Sequence, residues 1–121
     1  MGNDGGEMSE CLFCRIVHGD VPSTKVAESD RAYAFYDIAP TAPVHVLVVP
    51  KEHVESADTV RGEHGGVVDE LVMLAQRVAE IEGVRESGYR LVMNVGEDAQ
   101  NSVGHLHLHV LGGRRLEWPA G

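Results

Sequence analysis

The chain of 121 residues carries 19 acidic and 10 basic side chains, a net charge of −9, and 43% of it is hydrophobic. That length suits one domain, and the acidic balance argues against a nucleic acid or an anionic membrane as partner, though not against a small phosphorylated ligand in a local pocket. No apolar run nears the roughly 20 residues that span a bilayer, no basic-then-apolar leader opens the chain, and Cys11 and Cys14 are too few and too close for an extracellular disulfide framework, so a cytoplasmic location is expected.

Residues 1–10 are small, polar and acidic, and read as a disordered tail. Residues 11–121 read as the single folded domain. Leu12, Phe13, Ile16 and Val17 have one-turn spacing, so a short helix is expected, ending near Gly19, with Cys11 and Cys14 on one side of it. Lys25 to Glu28 and Ala32 to Tyr36 read as a strand pair turned at Ser29-Asp30-Arg31. Pro40 and Pro43 keep the next stretch a loop. Val44 to Pro50 is nearly all β-branched or apolar, as a central strand covered on both faces should be. Val67 to Glu82 is helical, with Val67, Leu71, Leu74, Ala75, Val78 and Ile81 as its apolar stripe and Gly83 as its C′ residue. Tyr89 to Val95 is a further strand. Several strands with one long helix, not in strict βαβ alternation, indicate α+β with a largely antiparallel sheet.

The stretch from Gly104 to Gly112 stands apart. His105, His107 and His109 alternate with Leu106, Leu108 and Val110. Strict alternation means a strand, with three imidazoles on one face and three aliphatic groups on the other. Same-face neighbours leave a strand about 7 Å apart, close enough to share a substrate or to divide tasks between a metal and a substrate. A neutral imidazole can attack phosphorus and then leave in favour of water, which splits one hard step into two. His107, flanked on both sides, is the best nucleophile. The preceding loop, Asp98-Ala99-Gln100-Asn101-Ser102, offers Asn101, Ser102 and backbone amides to phosphate oxygens. Ser102 can also assist the leaving group. Cys11, Cys14, His53 and His105 make a second set, matching the ligands of a structural Zn2+ site. A redox pair and two inert buried thiols are the competing readings of the cysteines.

The His-x-His-x-His pattern of His105, His107 and His109, followed by Val110-Leu111, resembles the signature of the histidine triad (HIT) superfamily. The segments Cys11 to Val17, Ala34 to Ile38, Ala42 to His53, Gly88 to Asn94 and Leu111 to Pro119 resemble its other blocks. The tail resembles the Hint branch, purine nucleoside phosphoramidases, more than the Fhit branch. The resemblance implies a five-stranded antiparallel sheet with two helices, paired in a homodimer with a continuous ten-stranded sheet. It implies cleavage of the P–N bond of adenosine 5′-phosphoramidates through a nucleotidyl-histidine on His107, with a purine nucleotide of AMP type as the small-molecule partner. By position it implies that His45 is an additional histidine of the site, that His109 and Ser102 surround the phosphate, and that Asn94 is a nearby polar contact. Asp37 then holds the ribose. Leu12, Phe13, Ile16, Phe35 and Ile38 form the base pocket, and Trp118 reaches towards the partner subunit's site. The zinc ligands implied are again Cys11, Cys14, His53 and His105. Dinucleoside polyphosphate hydrolysis and a nucleotide-binding module with little catalysis are the alternatives.

Two positions depart from the family pattern. Gln100 stands where a glycine is usual, so a positive φ there is disfavoured. Gly104 stands where a bulkier residue usually precedes the triad.

Overall fold

The computed structural model describes residues 10–121. The tail expected over residues 1–10 therefore lies, except for Glu10, outside the described residues. The elements are α1 (Leu12–Val17), β1 (Lys25–Glu28), β2 (Ala32–Tyr36), β3 (Val44–Pro50), α2 (Val67–Ile81), β4 (Tyr89–Val92) and β5 (Leu108–Gly112). Two single 3₁₀ turns, Ala57–Thr59 and Gly62–His64, occupy the polar stretch before α2. The five strands form one sheet in the order β1-β2-β3-β5-β4, and every pairing is antiparallel. No helix of the described residues is long and apolar enough to cross a membrane.

β3 is the centre of the sheet, and all seven of its residues are buried. Its alternation feeds two cores. Val44, Val46 and Val48 face α2 and join Leu71, Leu74, Val78, Leu106, Leu108 and Val110. Leu47 and Val49 face the other way and join Phe13, Ile16 and Phe35 under α1. A strand with cover on both faces needs no polar alternation, which is why this segment is so uniformly aliphatic. The α2 stripe is as expected except at its end: Ile81 is 54% exposed, and Ala79 is packed in its stead. Gly83, at φ +73, follows the Glu82 cap as the left-handed C′ residue.

The histidine strand is shorter than its pattern. The ladder with β3 begins at Leu108, paired with Val48. Before it, Leu106 donates its N–H to the carbonyl of Val54 at 2.6 Å, in the loop beyond β3. The backbone stays alternating, so Leu106, Leu108 and Val110 all enter the larger core. Pairing stops short because β3 ends at Pro50, whose carbonyl is taken by His105 Nε2 at 2.9 Å. β4 likewise stops at Val92, short of the expected Val95.

Gln100 does adopt the left-handed backbone, at φ 60. Its turn is closed by hydrogen bonds from Gln100 N to Glu97 O and from Asn101 N to Gly96 O. A non-glycine residue there costs about 1–2 kcal/mol, and glycine would return part of that as chain entropy. Gln100→Gly is therefore expected to raise stability by roughly 0.5–1 kcal/mol, read as an increased urea midpoint. An unchanged or lowered midpoint would mean that the glutamine side chain compensates for the strain.

Candidate active site and metal centre

The three triad histidines go to different neighbours. His105 is fully buried. Its Nε2 can only donate to the Pro50 carbonyl, so in the neutral ring Nδ1 carries the lone pair. Nδ1 lies 3.3 Å from Cys11 Sγ and 3.4 Å from Cys14 Sγ. His53 Nδ1 lies 3.2 Å from Cys14 Sγ. Cys11 is the N-cap of α1, and its sulfur accepts the Cys14 amide at 3.4 Å, which aims both thiols the same way. The four ligand atoms all lie within 4.8 Å of one another, the size of a small coordination sphere.

The donor set fits a divalent, thiophilic cation. Burial, followed by the contact with Cys11, pushes the Cys14 thiol up to about 12. Without a cation the buried Cys14 sulfur thus favours the protonated form, and a bound metal would displace that proton. The bond from His105 to a backbone carbonyl is the outer support that metal-ligating histidines usually have. Cys11, Cys14, His53 and His105 would hold the ion, which would tie α1 to the β3 and β5 ends.

His107 is 9% exposed, and its Nδ1 donates to the carbonyl of His105 at 2.8 Å. A carbonyl only accepts, so the neutral ring presents its lone pair on Nε2. Phe13 meets the ring edge-on, with centroids 5.1 Å apart at 83°, and meets His105 at 6.0 Å. One phenyl group thus braces His105 and His107 together. His109 continues the row, 5.0 Å from His107 between centroids. Its Nδ1 is 3.0 Å from His45 Nε2, and its own Nε2 is buried with no partner among the described residues. His45 arrives from β3, opposite Leu111 of β5 in the register. Asp37 Oδ2 is 3.4 Å from His45 Nε2, while Asp37 Oδ1 accepts the Ala39 amide.

Burial, then the neighbouring His107 and His45, pushes His109 down to about 4. His45 is also lowered, because burial outweighs the attraction of Asp37. Both rings are neutral at pH 7. The unfolded chain takes up its histidine protons near pH 6.5, and the folded chain takes up that of His109 only near 4. The stability tied to this shift is whole above about 6.5 and is lost as pH falls through that window. For His109 this amounts to about 2 kcal/mol at pH 5. The urea midpoint should therefore drop between pH 7 and pH 5, and the drop should shrink in His109→Gln. The same decline in both proteins would place its origin elsewhere.

The remaining expected residues are more dispersed. Phe13, Ile16 and Phe35 are buried in the smaller core, whereas Leu12 is 45% exposed and Ile38 wholly exposed. Asn94 is half-buried just beyond β4, and Trp118 stands 82% exposed in the tail. Ser102 is exposed, and Asn101 is half-buried with an Oδ1 that has no partner among the described residues. Asn101, Ser102, Glu55, Asp58 and Glu97 line an open groove of about 770 Å³ in which His107 takes no part. Sequence reasoning overlooked two backbone groups, the Pro50 carbonyl and the Thr41 amide, which donates to His45 Nδ1 at 3.1 Å. Only the prolines around them hinted that those backbones are fixed.

The HIT domain family model matches residues 18–116. An uncharacterized HIT-like protein of Synechococcus elongatus is 42% identical over 115 residues, 94% of this chain and all of the relative. The purine nucleoside phosphoramidase of Escherichia coli K12 is 38% identical over 107 residues, 88% of this chain and 90% of the enzyme. Among solved structures, a HIT family hydrolase from Legionella pneumophila superposes with a TM-score of 0.89 at 42% identity, over 93% of this chain and all of that one.

Proposed function

This chain belongs to the HIT domain family, and from that premise we propose that it is a nucleotide hydrolase that cleaves the P–N bond of adenosine 5′-phosphoramidates. The observation that carries the proposal is His107: a nearly buried imidazole whose Nδ1 is occupied by a carbonyl and whose Nε2 lone pair is left for attack. Nε2 attacks phosphorus and forms a P–N bond to His107 as the bond to the substrate amine breaks. The amine leaves with a proton relayed by the Ser102 hydroxyl. Water then attacks the same phosphorus, returns a proton to the serine side, and releases AMP with His107 restored. His109 and Asn101 orient the phosphate oxygens, His45 supports His109, and Asp37 takes the ribose hydroxyls. Phe13, Ile16 and Phe35 form the floor of the base pocket, Leu12 and Ile38 its walls, and Asn94 a polar contact beside it.

A zinc ion on Cys11, Cys14, His53 and His105 would be structural in this scheme, because no ligand position remains free for substrate. The assembly proposed is a homodimer with a continuous sheet. Of the two edge strands, β1 is guarded by Lys25 and a bulge between Lys25 and Ala27, whereas β4 pairs regularly along its length and exposes Leu91. The β4 edge is therefore the side that pairs, and Trp118 would reach across it towards the partner's site.

Comparing turnover of an adenosine 5′-phosphoramidate with that of diadenosine polyphosphates tests the reaction. Preference for the phosphoramidate is expected. Preference for the polyphosphates would move the chain to the alternative chemistry, and AMP binding without turnover of either would leave a binding module.

A further inference from the structure

The loop between β2 and β3 holds a group that decides where two protons lie. A backbone amide can only donate, so Thr41 N–H, 3.1 Å from His45 Nδ1, requires a lone pair on that nitrogen. The proton of the neutral His45 ring is then on Nε2. That N–H has His109 Nδ1 at 3.0 Å as its nearer acceptor and Asp37 Oδ2 at 3.4 Å as its farther one. His109 Nδ1 consequently accepts, and the proton of the neutral His109 ring is forced onto Nε2, the buried atom with no partner among the described residues. The reverse arrangement would set His45 Nδ1–H against the Thr41 N–H, donor against donor.

Thr41 is itself held, through the carbonyl of the peptide that follows it. Arg114 Nη2 donates to the Thr41 carbonyl at 3.2 Å, and Nη1 of the same guanidinium donates to Arg115 O at 3.0 Å. Gly113, at φ +91, passes so close to the loop that a Cβ there would stand 2.8 Å from Pro43 Cβ. The chain leaving β5 thus seats the loop that enters β3, the two strands that carry His109 and His45.

We infer that the Thr41 amide, positioned by Arg114, sets the tautomers of His45 and His109 so that His109 presents an N–H to the reacting group. Arg114 is a positioning residue, remote from the substrate. The kinetic consequence rests on the proposed hydrolase, but the tautomers do not.

The test uses the full chain with ¹⁵N-labelled histidine, free of nucleotide. In wild type, His45 and His109 should both show an unprotonated Nδ1 and a protonated Nε2. Thr41→Ala, which keeps the amide, should retain that spectrum. Thr41→Pro, which removes it, should give mixed tautomers at both rings. With a phosphoramidate substrate, Thr41→Pro should lower kcat about tenfold, the lower part of what a positioned proton donor supplies, with KM within about twofold. Arg114→Ala should speed hydrogen exchange of the Thr41 amide and lower kcat, and Arg114→Lys should restore part of both. A protonated His45 Nδ1 in wild type, or an unaltered spectrum in Thr41→Pro, would overturn the assignment. If Thr41→Pro does not fold, unchanged Thr41 exchange and unchanged tautomers in Arg114→Ala would overturn the part given to Arg114. Because the spectra need no substrate, a failure of the proposed reaction and a failure of this inference are separately visible.

Discussion

Replacing His107 by alanine is expected to lower turnover of an adenosine phosphoramidate by roughly 10⁴-fold or more, the scale seen when a covalent nucleophile is deleted. The expected loss is in kcat, with AMP still bound, because the ring is held by one carbonyl and one phenyl edge rather than by the loop of Asn101 and Ser102. The cavity left beside Phe13 should cost only about 1–3 kcal/mol of stability, so the variant should remain folded at 25 °C. His109→Ala provides the contrast. It removes an orienting donor, not the bond-forming atom, and should cost about 10²–10³-fold. Rapid quench of the wild-type reaction followed by peptide mapping should place an AMP adduct on His107, and neither rate nor adduct should survive in His107→Ala. Equal losses in the two variants, or an adduct on another histidine, would remove His107 from the centre of the proposal.

Much of this arrangement was legible in the alternation of residues 104–112. Period two placed the aliphatic groups in one core and the imidazoles opposite, and the structure keeps that division even where the ladder is absent. What alternation could not supply was the division of labour among the rings. That depends on partners brought from elsewhere: the Pro50 carbonyl and the cysteines for His105, its own backbone for His107, and His45 for His109. The strands from Lys25 to Pro50 were legible to the residue, because turn residues and prolines bracket them. The strand ends at Val92 and Leu108 were not, because they are set by a hydrogen bond to Val54 and by where β3 stops rather than by local pattern. The turn before the histidine strand shows the opposite case. A propensity argument disfavoured positive φ at Gln100, yet the closure of the turn imposes it.

Loss of the proposed zinc is expected to have the second largest effect, and on stability before chemistry. α1 has six residues, too short to persist alone. Phe13 and Ile16 give it an apolar anchor, and the sulfurs of Cys11 at its cap and Cys14 in its first turn face His53 and His105. An ion bound at a thousand times its Kd contributes about 4 kcal/mol to the folded state, which for a domain of this size is roughly 15 °C in Tm. Purified protein grown with zinc should hold one ion per chain. Cys14→Ala should lose it and melt roughly 15 °C lower, as should wild type treated with a chelator, with recovery of wild type alone on adding zinc back. Nucleotide affinity, measured well below the lowered Tm, should fall less than tenfold, since His107 keeps its backbone partner while Phe13 loses part of its support. Protein that is metal-replete in growth yet contains no stoichiometric zinc would dismiss the metal. Affinity falling as far as stability would mean that the ion shapes the nucleotide site directly and is not confined to bracing α1.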